Sequence, residues 1–523
     1  MYDVIIKNGI VIDGSGESAV RSDIGIKEDK IVKIGELHDE RATVEIDANG
    51  KVVCPGFIDV NNHSDTYWRI FLNPHLESLI YQGITTIIGG NCGTSLAPLV
   101  APETIDAIQK WVEIKKLNVN WLTLKEFFAI VEEKKITPNF ATLVGHATLR
   151  RGIIGDEVRS FLPKEIKALK KNLEKAMKEG ALGMSTGLIY SHARLAPYEE
   201  LLELAKIVKK YDGVYATHIR SEQGEFLEAI NEALQIAKDS GVRLHISHLK
   251  VLGEKNWSKM DEALELILKA KQGGLDVTFD VYPYTATGSV LYSFLPAWVS
   301  EGGKKIMLHR LKDQSIRVKV VEEMRASGFD YAKIEIAISP LNKTLTRRRI
   351  SDIAKSQEKS VEDVVLDILI ASEGMVITSI EILNEKNVEQ AIAHPLSIIA
   401  TNGAGYDIFH AKTGERVHPR NFGTFPKVLE KYVHKEKILT WEDAIKKMTG
   451  LPAIKFGIKK RGFIKKDNFA DIVIFDQNKI SSPANTENPY QYSKGIETVL
   501  INGEIVFSDG KYLGNRNGRV IKR

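Results

Sequence analysis

Between residues 53 and 400 the chain repeats one unit: a short apolar run rich in β-branched residues, a polar or glycine-rich turn, then a stretch of helical periodicity. Eight such runs stand at 53–60, 84–89, 140–145, 181–185, 214–217, 243–247, 277–282 and 396–400. Eight is the count that a closed (β/α)8 barrel needs. The intervening helices are legible at 163–179, where Ile166, Leu169, Leu173 and Met177 share a face and Gly180 stops the helix. The same pattern recurs at 225–238 and 260–271. The fold class read from this pattern is α/β, a TIM-like barrel, with a doubly wound open sheet as the competing architecture.

The two ends of the chain differ from the middle. Residues 1–54 hold brief β-branched runs punctuated by Asn8-Gly9 and Asp13-Gly14, which are hairpin-type turns. The last 60 or so residues look alike, with runs at 470–475 and 498–501 and Asn502-Gly503 leading into 505–507. Segments 1–54 and 455–523 are therefore expected to pair into one small β-sandwich domain, leaving 55–454 as the barrel. The strand–helix alternation breaks after Tyr284, which predicts an insertion at about 286–350 covering the barrel mouth.

Composition narrows the function. Lys plus Arg number 72 against 68 Asp plus Glu, a net charge of +4; over 523 residues this argues against nucleic acid or an acidic membrane surface as partner. Two cysteines, Cys54 and Cys92, make a disulfide framework improbable and suit a reducing compartment. The N-terminus opens as a strand rather than a signal peptide, and no apolar run approaches the 18 or so residues of a membrane span. The expectation is a cytoplasmic protein; the sequence leaves its oligomeric state open.

In a parallel barrel, catalytic groups sit at the C-terminal ends of the strands, and here those ends carry polar residues. The first run leads into Asn61, His63 and Asp65, the second into Gly89-Gly90-Asn91-Cys92-Gly93, the fifth into His218, the sixth into His248 and the eighth into Asn402-Gly403. A thiolate and two imidazoles are good zinc donors, and three protein ligands with a fourth position open is the catalytic arrangement. His245, three residues before His248, should face the other side of its strand and reads as structural.

These motifs resemble the N-acyl-D-amino-acid deacylase (D-aminoacylase) branch of the amidohydrolase superfamily. The resemblance rests on 55–65, on Asn91-Cys92-Gly93-Thr94-Ser95, on Ser185-Thr186-Gly187-Leu188-Ile189-Tyr190 and on Thr217-His218-Ile219-Arg220-Ser221-Glu222. It continues through Ile246-Ser247-His248-Leu249-Lys250, Asp280-Val281-Tyr282-Pro283-Tyr284, His418-Pro419-Arg420 and Gly423-Thr424-Phe425-Pro426. It implies a barrel with a small β domain, and a zinc ion held tightly by Cys92, His218 and His248. It also implies a second, weaker metal position at 61 and 63 with the cysteine bridging, and an aspartate acting as general acid/base at the end of the eighth strand. Tyr190, Lys250, Tyr282 (or Tyr284, on the same face) and Ser289 are implied near a substrate carboxylate. The substrate implied is an N-acyl amino acid or a related small amide.

Two departures fall on the chemistry. Asn61 replaces the first strand-one histidine, so the second metal position should be weak or absent. Asn402 stands where the family carries its aspartate, and loss of a positioned base lowers rates by about 10²–10⁴-fold. Asp65, His63 and His146 are the candidates to replace it. The competing reading is a diverged non-hydrolytic or ligand-binding member of the family, or an inactivated variant. The loop after Tyr190 also departs from the family, and His192 or Arg194 there could alter the side chain accepted.

Overall fold

The structure, a computed structural model, describes residues 1–102, 104–105, 119–155, 157–341 and 345–523. The repeating unit closes into a barrel. Its strands are β1 (Phe57–Asp59), β2 (Ile84–Gly89), β3 (Asn139–Thr142, continued by Val144–Gly145) and β4 (Gly183–Gly187), then β5 (Val214–His218), β6 (Arg243–Ile246), β7 (Val277–Val281) and β8 (Ser397–Ile399). Each pairs in parallel with the next. A parallel bridge from Asn62 to Gly403 joins the end of β1 to that of β8. β2 is buried at every residue, which is why it reads as a continuous apolar run: helices cover one face and the barrel interior the other.

The helix Pro163–Lys178 illustrates the outer layer. Proline opens it, and Glu165 accepts from the Leu162 amide at 2.7 Å to satisfy a free N–H of the first turn. Leu169, Leu173, Ala176 and Met177 are buried beneath it; each of the larger three stabilises the fold by roughly 1.5–3 kcal/mol.

The first apolar run splits in two. Val52–Pro55 pairs antiparallel with Ile472–Phe475, whereas Phe57–Asp59 is β1 of the barrel. Gly56 marks the crossing, because a Cβ there would lie 2.1 Å from Thr85 Oγ1. The pairing with Ile472–Phe475 joins five N-terminal and four C-terminal strands into one nine-stranded sheet. Ile6, Ile24, Val53, Ile472, Ile474 and Leu500 fill its core. A buried polar knot ties it to the barrel: Arg461 pairs with Asp471, whose Oδ2 also accepts from Asn139 Nδ2 at 3.0 Å in β3.

The segment after β7 departs from the expected bounds. Ala286–Val290, Glu335–Ile338 and Ile377–Glu381 form an antiparallel sheet. The helices Gly303–Lys312, Gln314–Ala326, Ile350–Gln357 and Val361–Ala371 pack on a core of their own that includes Met307, Val320, Ile353 and Leu369. The insertion thus runs about 30 residues beyond 350, to Glu381. Its last two helices bury apolar residues at helical spacing as barrel helices do, so periodicity alone could not assign them to it. Among the described residues no helix is long and apolar enough to cross a membrane.

Candidate metal centre

The seam between β1 and β8 is laced by side chains. Asp59, fully buried, accepts from the Thr401 amide at 2.9 Å, from Thr401 Oγ1 at 2.6 Å and from Asn62 Nδ2 at 2.8 Å. Burial pushes the Asp59 carboxyl up to about 6 against these bonds. Beyond it, the His63 amide donates to the Gly403 carbonyl at 2.7 Å. His63 Nε2 lies 2.9 Å from Asn402 Oδ1 and 4.0 Å from Cys92 Sγ.

Cys92 rides on a loop that glycine permits. Gly90 has φ +71°, and a Cβ there would meet the Leu143 carbonyl at 2.0 Å. Asp65 Oδ2 accepts from the Gly90 amide at 2.7 Å, and Ser185 Oγ accepts from the Gly93 amide at 3.0 Å. Cys92 (φ +52°), His248 (φ +38°) and Asn402 (φ +46°) hold left-handed backbone, a conformation that persists where surrounding structure enforces it and that gathers at functional sites.

Cys92, His218 and His248 bring one donor atom each to within 4.8 Å of one another, all buried. Cys92 Sγ is 3.4 Å from His248 Nε2. Zinc–sulfur and zinc–nitrogen bonds of about 2.3 and 2.05 Å at a tetrahedral angle separate the two donors by about 3.6 Å, so the donor set fits a zinc ion. Burial first, then Lys250 and His218, hold the His248 pKa down to about 3, which keeps this imidazole neutral and able to ligate.

A cavity of about 1140 Å³ opens between the barrel mouth and the insertion. It brings together His63, Cys92, His218, His248 and Asn402, and also Tyr190, Lys250 and Ser289. Burial, followed by the Cys92 thiolate, drives the Tyr190 pKa well up, so its hydroxyl remains a donor. His192 is on the wall as well, in contact with Arg151.

Four expected site residues lie off this wall. Asn61 turns its amide nitrogen to Asp280, 3.3 Å from both carboxylate oxygens, and leaves Oδ1 buried without a hydrogen-bond partner. Asp65 sits under the Cys92 loop, where its carboxylate anchors the Gly90 amide instead of facing the cavity. His146, completely buried, gives Nε2 to Glu200 at 2.7 Å; the same carboxylate binds Arg150. Burial holds the His146 pKa down. A carboxylate 54 positions away in the chain thus removes His146 as a base. Tyr282 stands behind the wall, its hydroxyl donating to Thr287 Oγ1 at 3.2 Å and its ring 5.1 Å from the Arg420 guanidinium.

Two further residues, Glu222 and Arg420, belong to the site, although their sequence motifs assign them no role. Glu222, four positions after His218, has Oε1 3.1 Å from His218 Nε2 and 3.4 Å from His248 Nδ1, and it accepts from Lys250 Nζ. Burial would raise its pKa, but Lys250 and His218 together hold this carboxyl well below the usual range. Glu222 lies in the irregular segment between β5 and the helix Phe226–Ser240, so no periodicity marks it. Arg420 lines the cavity at 9% exposure, with Nε and Nη1 lacking any hydrogen-bond partner. A buried arginine that is left unsatisfied is a costly arrangement unless a ligand completes it.

Comparison with known proteins extends over the whole chain. The model of the Amidohydrolase family matches residues 44–507. The D-aminoacylase of Alcaligenes xylosoxydans xylosoxydans is 32% identical over 528 residues, spanning 100% of this chain and 98% of its own. The crystal structure of N-acyl-D-glutamate deacylase from Bordetella bronchiseptica, complexed with zinc and a phosphonate inhibitor that mimics the tetrahedral intermediate, superposes with a TM-score of 0.84 at 29% identity over 100% of both chains. A D-aminoacylase structure described by one-metal activation and second-metal attenuation superposes at 0.83 with 31% identity, again over 100% of both. With converging sulfur and nitrogen donors at the ends of β2, β5 and β6, and relatives matching from end to end, the chain belongs to the amidohydrolase family, in its D-aminoacylase branch, as a metal-dependent hydrolase of amide bonds.

Proposed function

We propose that the chain hydrolyses the amide of an N-acyl-D-amino acid with a single zinc ion held by Cys92, His218 and His248. The observation that carries this reading is the buried Arg420 guanidinium, whose Nε and Nη1 lack hydrogen-bond partners, on the same cavity wall as the three metal donors. A substrate that meets both must present a carboxylate close to a polarisable carbonyl, as an N-acyl amino acid does. The relatives, which are named for D-amino-acid derivatives, support the D configuration.

When bound, zinc supplies Lewis acidity toward the amide carbonyl and lowers the pKa of water to about 7. Arg420 and Lys250 neutralise the carboxylate, and a guanidinium fork can do so in two parallel hydrogen bonds. Ser289 Oγ and the protonated Tyr190 hydroxyl add neutral donors on that wall. Asn402 cannot accept a proton near neutral pH. Of the three candidates to replace the missing base, His63 is the one on the cavity wall.

Single-metal operation is supported at position 61, where the amide nitrogen is committed to Asp280 and only a weakly donating amide oxygen remains. Metal analysis paired with a hydrolysis screen tests the proposal. One zinc per chain and turnover of N-acetyl-D-amino acids, abolished by chelation and restored by zinc, is the expected result. Turnover that survives complete zinc removal would refute it. The amide at 402 favours a second reading, a carboxylate-binding protein that does not turn over; a zinc-replete sample that binds N-acetyl-D-amino acids and never releases acetate would establish that alternative.

A further inference from the structure

Three positively inclined groups converge on one oxygen. Glu222 Oε1 is 3.1 Å from His218 Nε2 and 3.4 Å from His248 Nδ1, and it accepts from the Lys250 ammonium. Glu222 is 5% exposed and lies outside the set of mutually close donor atoms; on His248 it stands by Nδ1, the nitrogen away from the Cys92 sulfur. We propose that Glu222 is the positioning residue of the metal centre: its charge selects the tautomer of both histidine ligands. The proposal rests on the zinc reading above.

A neutral imidazole carries one N–H, and the other nitrogen keeps the lone pair needed for ligation. A carboxylate oxygen beside His218 Nε2 and His248 Nδ1 attracts the hydrogen to those atoms and repels a lone pair there. The opposite nitrogens are thereby left bare, and for His248 that nitrogen is Nε2, the one 3.4 Å from the Cys92 sulfur. Metal-ligating histidines are commonly fixed in this way through their second nitrogen, and loss of the partner lowers metal affinity by about 10–100-fold.

Lys250 makes the role decisive. Its Nζ is 2.9 Å from His248 Nδ1. An ammonium can donate there only if Nδ1 holds the lone pair, which puts the hydrogen on Nε2 and closes it to metal. Lys250 therefore favours the wrong tautomer. Glu222 counters it twice, by favouring Nδ1–H and by taking the ammonium itself.

Zinc affinity by chelator competition, with zinc alone as the probe, tests this in the intact chain. Glu222→Gln should bind zinc about 10–100-fold more weakly, with circular dichroism of the metal-free protein unchanged. In the cobalt-loaded protein the thiolate charge-transfer band from Cys92 should persist while the d–d bands shift. Lys250→Met should bind zinc as tightly as the parent or more tightly. Affinity of Glu222→Gln within threefold of the parent would overturn the proposal. So would an equal loss in Lys250→Met, since Glu222 would then serve only to anchor that lysine. A readout independent of variant folding is ¹⁵N-histidine NMR of the zinc-loaded parent, where His248 bonded through Nε2 with Nδ1–H is expected and the reverse refutes. A parent chain that binds no zinc defeats the function proposed above, and this inference with it; a parent that binds zinc beside an unaffected Glu222→Gln defeats this inference alone.

Discussion

Asn402→Asp is the most informative single change in the molecule. The two side chains have nearly the same volume, and both tolerate the left-handed backbone found there (φ +46°), so the fold should hold. Asn402 Oδ1 already lies 2.9 Å from His63 Nε2, and a carboxylate would inherit that bond as a charge-assisted one. At 8% exposure the new charge is nearly buried, with the His63 ring beside it as a hydrogen-bond partner. A positioned general base raises the rate by about 10²–10⁴-fold, which is about 2.7–5.4 kcal/mol of barrier at 1.36 kcal/mol per tenfold. Initial rates on N-acetyl-D-amino acids at fixed zinc content measure it. The variant's rate should also fall on the acid side, as the new carboxylate takes up its proton, a limb that the amide of the parent cannot produce. Peptide mass spectrometry of 396–410 must accompany the parent, because Asn402-Gly403 is a deamidation-prone pair whose hydrolysis makes the same carboxylate. A variant whose rate stays within threefold of the parent, at equal zinc and with no new acid limb, would show that position 402 is not where the proton goes.

Cys92→Ala should reduce zinc binding below stoichiometry and take hydrolysis with it, read by metal analysis alongside the rate; full zinc retention would exclude Cys92 as a ligand. Arg420→Met should lower kcat/KM by about 30–1000-fold, from the roughly 2–4 kcal/mol of a buried charged contact to substrate, with zinc content unchanged; an effect under threefold would remove Arg420 from the carboxylate subsite. Arg461→Leu strands Asp471 without its cation in the joint between sheet and barrel, and should destabilise the chain by about 3–5 kcal/mol, read as a lower thermal midpoint with the metal donors intact; an unchanged midpoint would show that Asn139 and Asn502 satisfy Asp471 unaided.

What could be read from sequence follows the range of the interaction involved. The eight strands are local features, each an apolar run that declares itself within six or so residues, and the donors Cys92, His218 and His248 follow directly after three of them. His146 looked equally well placed after β3. Its partner Glu200 lies on a helix beyond the next strand, and no local pattern announces that pairing. Asp65 differs for the same reason, being committed to the amide of Gly90 just past the end of β2. Tyr282 is on the expected face of β7, but the insertion brings Thr287 and the loop after β8 brings Arg420 in front of it. Glu222 and Arg420 gain their roles only in the folded site, where one carboxylate meets two imidazoles and one guanidinium stacks on Tyr282 with Nε and Nη1 left open.

Of the two asparagines that depart from the family, Asn402 touches His63 and Asn61 lies two residues before it in the chain. With no second cation at positions 61 and 63, an ionised carboxylate at 402 would be a nearly buried charge beside the His63 ring. An amide at 402 meets the His63 N–H at 2.9 Å while burying no charge, and an amide at 61 satisfies Asp280 from the other side of β1. Each replacement thus leaves the seam between β1 and β8 electrically quiet without a second metal. The Cys92, His218 and His248 set remains intact beside them. Restoring the histidine at 61 alone should therefore do little for hydrolysis, because position 402 would still lack a carboxylate. Restoring the aspartate at 402 alone should be sufficient to recover the rate, because the remaining ligand set closes without position 61.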